Sequence, residues 1–134
     1  MSQENVDLVR EVLAAWNSHD FERWLAYWDT TCEWVPRLRN EVEGRQTYRG
    51  HHGLRRYWEE DDAVWASFLV DFGQMRAVGD QVLVTGTGTA SGRQSGIELT
   101  TPLAMRFQVA EGKIVRGESY LDVNEALEAA GLSE

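Results

Sequence analysis

The feature that most constrains this chain is a change of hydrophobic period near residue 65. Before it, apolar residues recur at three- and four-residue spacing; after it, they alternate. Val6, Val9, Leu13 and Trp16, with Val12 beside them, form the stripe of a first helix. Asn17-Ser18-His19-Asp20 breaks that pattern, and the Asp20 carboxylate suits the N-cap of a second helix. There Phe21, Trp24, Leu25 and Trp28 stand at i, i+3, i+4 and i+7, an amphipathic stripe of about two turns. A short strand, Cys32 to Pro36, follows. After the polar stretch Arg37 to Thr47, Tyr48-Arg49-Gly50 leads into a third helix with Leu54, Tyr57, Trp58, Asp61 and Trp65 on a common side.

Beyond it, Phe68, Val70 and Phe72 alternate with Leu69 and Asp71, and Val82 to Thr89 is a second alternating run reached through a turn at Gly79-Asp80. The clearest strand is Ile97 to Val109. It sets Ile97, Leu99, Thr101, Leu103, Met105, Phe107 and Val109 on one face, with Glu98, Thr100, Pro102, Ala104, Arg106 and Gln108 on the other. Glu111-Gly112 suits a two-residue hairpin turn. Lys113 to Asp122 is the return strand, and Val123 to Ala130 a short helix ended by Gly131. Helices first and an antiparallel meander after is an α+β pattern, in which a sheet apolar on one face takes the helices there. All 6 Trp lie at or before Trp65, so helices and first strand bring the bulky aromatics and the later strands mainly aliphatics. No repeat or linker interrupts the 134 residues, which read as one domain able to bury its core without a disulfide or metal staple.

Charge removes whole classes of partner. With 13 basic and 22 acidic residues the net charge is −9, whereas phosphate backbones and anionic lipids are bound by clustered Lys and Arg. Arg37, Arg39 and Arg45 are interrupted by Glu41 and Glu43, and Arg49, Arg55 and Arg56 run into Glu59, Glu60, Asp61 and Asp62. Neither nucleic acid nor a membrane surface is expected as a partner. No run is long and apolar enough to span a bilayer, the charged N-terminus is unlike a signal peptide, and the lone Cys32 suits a reducing compartment. A cytoplasmic location is the expectation.

The order helix, helix, strand, helix, four strands resembles the nuclear transport factor 2-like proteins, and local sequence resembles their SnoaL-like branch. Trp28-Asp29-Thr30-Thr31-Cys32-Glu33-Trp34 is similar to the entry into its first strand, and Tyr48-Arg49-Gly50-His51-His52-Gly53-Leu54 to its third-helix entry. Ser91-Gly92, Gly112-Lys113-Ile114-Val115-Arg116, Tyr120-Leu121-Asp122 and Glu125-Ala126-Leu127 resemble its later strands and tail. The resemblance implies a cone-shaped barrel, a curved, mainly antiparallel sheet wrapped around the N-terminal helices, with a pocket inside and often a homodimer joined through the sheets. It also supplies tests. Ketosteroid isomerases carry a carboxylate base at the end of the first strand and a tyrosine on the first helix; here Pro36 and Val12 stand at those places. Limonene epoxide hydrolases use Arg-x-Asp on a late strand; Arg106-Phe107-Gln108 lacks the acid. What remains is the broader SnoaL pattern, with an acid on the last strand as base.

The hairpin offers an independent argument. If Ala110 pairs with Lys113, Phe107 faces Arg116, Met105 faces Glu118, Leu103 faces Tyr120 and Thr101 faces Asp122. The four polar residues then stand on the apolar, helix-facing side, where ionised groups need partners or a wet pocket. Glu118 is the candidate general acid or base, tuned by Arg116, with Tyr120 or His51 stabilising developing oxyanion charge. An Arg116–Glu118 structural ion pair is the competing reading, and Asp122 serves equally as a cap for the last helix. Trp28, Cys32, Trp34, Trp58, Met105 and Phe107 are the candidate apolar lining, with core filling the alternative for each. Tyr48 offers a hydroxyl to a ligand or to the backbone; His52 and His19 read as solvated.

Three His, one Cys and no ligand spacing argue against a metal. Gly86-Thr87-Gly88 opens no helix, so its glycines serve a strand bend or a close backbone approach rather than a dinucleotide. Glu59 to Asp62 reads as a solvated acidic patch. The expectation is a small-molecule-binding protein, as a cofactor-free acid/base enzyme of cyclase, isomerase or hydrolase type on an apolar cyclic or polyketide-like substrate. The alternatives are a non-catalytic ligand-binding module and a dimeric interaction module with a filled centre.

Overall fold

The computed structural model describes residues 2–36, 46–120 and 122–131; Arg37, Arg39 and Arg45 lie outside the described residues. Helix α1 (Ser2–Asn17) is followed by α2 (Phe21–Ala26), β1 (Trp28–Pro36), β2 (Tyr48–Arg49), α3 (Gly50–Val64), β3 (Trp65–Val78), β4 (Gln81–Gly92), β5 (Glu98–Ala110), β6 (Lys113–Tyr120) and α4 (Val123–Ala129). Asp20 caps α2 by accepting from the Arg23 amide, and Asp122 caps α4 by accepting from the Asn124 amide.

The six strands form one sheet in the order β2-β1-β6-β5-β4-β3. The expected cone-shaped barrel is not formed. The sheet is open: two-residue β2 ends one side, β3 ends the other, and the two edges are not paired to each other. It is also mixed, because β1 runs parallel to β6 while the other neighbours are antiparallel. The β3 edge is covered from α1 instead. The Asn17 side chain donates to the Val70 carbonyl and accepts from the Val70 amide, both at 2.8 Å, which occupies edge groups that would otherwise invite another strand.

Two residues of the expected helical stripes belong to strands. Trp28 begins β1, because α2 stops at Ala26, whose carbonyl accepts from Lys113 Nζ at 2.7 Å. The Trp65 amide still bonds back to the Asp61 carbonyl, but its backbone (φ −113°, ψ 132°) is already extended.

The main core lies between the helices and one face of the sheet, with Val9, Val12, Leu54, Val82 and Ile114 fully or almost fully buried. A smaller core, Leu83, Ala104, Tyr120 and Ala126 with Leu127 and Ala130 against it, lies under α4. On β5, Ala104 alternates with Leu103 and Met105 of the main core, so α4 covers the opposite face of the sheet. That second cover is the element a one-sided sheet does not anticipate.

The hairpin turn is Glu111-Gly112, both in the left-handed region (φ 51° and 75°), as a type I′ turn requires. Ala110 pairs with Lys113 and Val109 with Ile114 as expected, but Gln108 then pairs with Arg116, Arg106 with Glu118 and Ala104 with Tyr120. Val115 is the extra residue of a β-bulge. The bulge corrects the facing expected for Arg116, Glu118 and Tyr120. One extra residue turns every later side chain to the other face, so they lie with Arg106 and Ala104, away from Phe107 and Met105. Gly86 shows the close approach anticipated for the glycine run, since a β-carbon there would lie 1.9 Å from the Asp71 carbonyl oxygen.

Candidate functional site

A cavity of about 520 Å³ opens between the helices and the main-core face of the sheet, a volume within the range of small-molecule sites. Helix α1 brings Val12, Leu13 and Trp16 to it, α2 brings Trp24, and β1 brings Trp28, Trp34 and Pro36. Strands β3 to β5 supply Trp65, Phe68, Val70, Gly88, Ala90 and the row Leu99, Leu103, Met105 and Phe107. Five of the six tryptophans thus face it, and Val64 and Leu99, about half exposed, mark the open end. The polar groups in the wall are few. Thr100 and Thr101 lie on β5, Ser119 on β6, and Tyr57 and Asp61 on α3. Asp61 is the one carboxylate among the described lining residues and is only 7% exposed.

The floor is aromatic. Trp34 stacks on Phe107, centroids 6.4 Å apart with planes 9° from parallel, and Trp28 stands nearly edge-on to Trp34 at 5.9 Å. Gly117 makes room for them: a β-carbon there would lie 2.8 Å from Trp28 Cη2, 3.0 Å from Trp34 Cε3 and 3.1 Å from Phe107 Cδ1. The Trp16 indole donates to the Phe68 carbonyl at 2.8 Å. The buried Nε1 atoms of Trp28 and Trp34 have no hydrogen-bond partner among the described residues, and a buried donor left unmatched costs about 1–3 kcal/mol.

Of the expected apolar lining, Trp28, Trp34, Met105 and Phe107 are in the wall, whereas Trp58 and Cys32 are not. Trp58 is core, its ring 5.0 Å from Trp16, 5.1 Å from Trp24 and 5.2 Å from Phe21. Cys32 is fully buried in β1, and burial pushes its thiol up to about 11. Folded protein should therefore leave Cys32 unreacted with a disulfide reagent at neutral pH, with the thiol titre appearing on adding denaturant.

None of the four expected catalytic residues reaches the cavity. His51 Nε2 donates to the Trp28 carbonyl at 2.8 Å, tying the start of α3 to β1. On the far face of the sheet, Glu118 is 2% exposed and bonded to both Arg106 and Arg116. Arg116 also bridges to Glu33, and Arg106 donates to Gln81 Oε1 at 2.6 Å. Tyr120 donates to Glu118 Oε1 at 2.6 Å and accepts from Arg106 Nε. Burial, then the bond to Glu118, raises the Tyr120 phenol above its ordinary value, so it stays a donor. The arrangement joins β1, β6 and β5 through charged side chains and reaches β4 through the Gln81 amide. Tyr48 donates to Glu60 Oε1 at 2.5 Å and so ties β2 to α3.

The sequence puts Asp61 both on the apolar side of the third helix with Leu54 and Trp58 and in the acidic run Glu59 to Asp62, which reads as solvated; the structure buries it. The signal that separates it is spacing, since Leu54, Trp58 and Asp61 are the large buried residues of α3.

A family model described as a SnoaL-like domain matches residues 9–117. The chain belongs to the SnoaL-like family. No curated protein matches it. Solved structures share the SnoaL-like fold at low identity. A nuclear transport factor 2-like protein of unknown function from Burkholderia pseudomallei has a TM-score of 0.81 at 20% identity, covering 93% of this chain and 95% of that one. TerC, co-crystallised with polyporic acid, has a TM-score of 0.80 at 22% identity, covering 96% and 98%. A putative polyketide cyclase from Xanthomonas campestris pv. campestris has a TM-score of 0.79 at 16% identity, covering 96% and 98%. Among the described residues no helix is long and apolar enough to cross a membrane.

Proposed function

We propose that this SnoaL-like protein takes a flat, apolar, cyclic small molecule into the tryptophan-walled cavity, and that Asp61 exchanges a proton with it. The cavity itself carries the reading. About 520 Å³ of space is kept open among Trp16, Trp24, Trp28, Trp34 and Trp65, residues that otherwise gain by closing on one another. Flat ligands suit such a wall because stacking and edge contacts both require planar partners. A buried carboxylate in an apolar wall is the usual setting of a general acid or base. The TerC complex with polyporic acid and the putative polyketide cyclase favour the same class of ligand, at the level of shared fold.

We assign Glu118, Arg116 and Tyr120 to holding the strands together rather than to the ligand, because the sheet lies between them and the cavity. The test is binding. Fluorene, a rigid flat tricycle, is expected to bind saturably at one site per chain, read by calorimetry. Leu103→Trp, which fills the space, is expected to weaken binding at least tenfold in a protein that still unfolds cooperatively. Absence of saturable binding, or affinity untouched by the filled cavity, overturns the reading.

A further inference from the structure

One buried hydroxyl in the cavity wall has no hydrogen-bond partner among the described residues. Ser119 is 5% exposed and lines the cavity. The register of β6 directs its side chain. Side chains alternate along a strand, so Ser119 shares the face of Gly117, on which Trp28, Trp34 and Phe107 crowd, while Glu118 and Tyr120 take the other. Its neighbours across the sheet, Met105 on β5 and Pro36 on β1, line the cavity as well. Nor is the hydroxyl sealed off. Among the described residues, the side-chain polar atoms both sealed and unpartnered are Nε1 of Trp28 and of Trp34. The Ser119 oxygen, equally without a partner, is not one of them, so it keeps an accessible surface, and the space beside it is the cavity. The other small hydroxyls of the wall differ: Thr101 Oγ1 donates to the Pro102 carbonyl at 3.2 Å, and Thr100 is exposed.

We propose that Ser119 is the polar anchor for the ligand, its hydroxyl donating to a carbonyl oxygen carried on the ring system. A serine hydroxyl turns about one bond and can point its proton at an incoming acceptor. Alanine would fill the same place without leaving a buried polar group unmatched, a mismatch that a partner arriving with the ligand removes. The two polar walls also divide the work. Ser119 stands on the sheet side of the cavity and Asp61 on the helix side. An ionised carboxylate only accepts, so Asp61 offers a carbonyl oxygen nothing and the oxygen turns to the sheet. A donor there strengthens as negative charge grows on that oxygen, which complements proton removal from the neighbouring carbon. The inference rests on the cavity reading above and narrows its ligand class to flat cyclic ketones.

The probe pair is 9-fluorenone and fluorene, which share one flat frame and differ by a carbonyl in place of a methylene. Fluorenone is expected to bind about fivefold more tightly, and Ser119→Ala to shrink that ratio toward one. The variant should unfold at the same denaturant concentration as the parent or higher, because the hydroxyl holds nothing within the protein. In the unmodified protein, the infrared carbonyl stretch of bound fluorenone should lie below its position in an apolar solvent, and in the Ala variant it should move back. Equal affinity for the two probes, a ratio that Ser119→Ala preserves, or a carbonyl stretch unchanged from apolar solvent overturns the anchor and leaves the cavity reading standing. So does a variant that is less stable or fails to fold, since the hydroxyl would then serve the fold. If neither probe binds, both fall.

Discussion

Replacing Glu118 with alanine should cost about 3–5 kcal/mol of folding stability, the range for breaking a buried ion pair from one side, while leaving affinity for an apolar ligand in the cavity unchanged. The asymmetry follows from where the carboxylate sits. Its side chain is 3% exposed and answers two guanidiniums and a phenol, and the Arg106 side chain is itself only 15% exposed. Removing the carboxylate leaves the half-buried Arg106 charge with only neutral partners among the described residues, Gln81 Oε1 and the Tyr120 oxygen. Glu118→Gln keeps an acceptor for Tyr120 and should lose less. The double change Glu118→Leu with Arg106→Met should recover much of the loss, because it removes the stranded charge as well. Denaturant unfolding of the three variants and the unmodified protein, alongside fluorene binding, checks this. Unchanged stability together with altered chemistry in the cavity would return Glu118 to the role that an acid on the last strand suggests.

That role was the natural reading of the sequence, and the different facing the structure gives Glu118 has a local cause. Turn, partner strand and first two pairs of the hairpin follow from alternation and from Glu111-Gly112, and all are found. The bulge at Val115 leaves no mark in the hydrophobic pattern, because Val115 is as acceptable in a strand as either neighbour. Its effect is nevertheless to exchange the faces of Arg116, Glu118 and Tyr120. The other missing fact was where α4 packs. A seven-residue helix reads as a tail, yet by packing Ala126 against Leu83, Ala104 and Tyr120 it makes the far face a second interior, so polar residues there are buried without being in a pocket. Where periodicity extended across an element boundary, as at Trp28 and Trp65, the stripe was real but its last member had passed into a strand. Both nevertheless line the cavity, because a side chain's place in the core depends on direction more than on backbone class. The open sheet is a matter of pairing between strands far apart in sequence. The parallel match of Trp34 with Gly117 and Pro36 with Ser119 is set by tertiary contact, not by any local propensity.

Asp61→Asn should lower proton transfer from a bound ketone by about 10²–10⁴-fold, the usual contribution of a positioned general base, without abolishing binding. Asparagine has the same shape and keeps a carbonyl acceptor, so packing around this buried position of α3 is preserved while the group that takes the proton is gone. The measurement is deuterium wash-in beside the carbonyl of 2-tetralone, followed by NMR in D₂O. Base and enolate balance in this reaction: the carboxylate accepts the α-proton as the C–H bond breaks, the electron pair moves onto the carbonyl oxygen, and solvent deuterium returns to carbon. Unmodified protein should exceed the buffer rate at saturating ketone. The Asn variant should fall toward buffer. A variant as fast as the parent would remove Asp61 from the chemistry. A parent no faster than buffer, with ketone bound, would make this a protein that holds its ligand without transforming it. The comparison is informative because Asp61 is the one carboxylate among the described lining residues, so no neighbouring acid in that wall stands ready to take over.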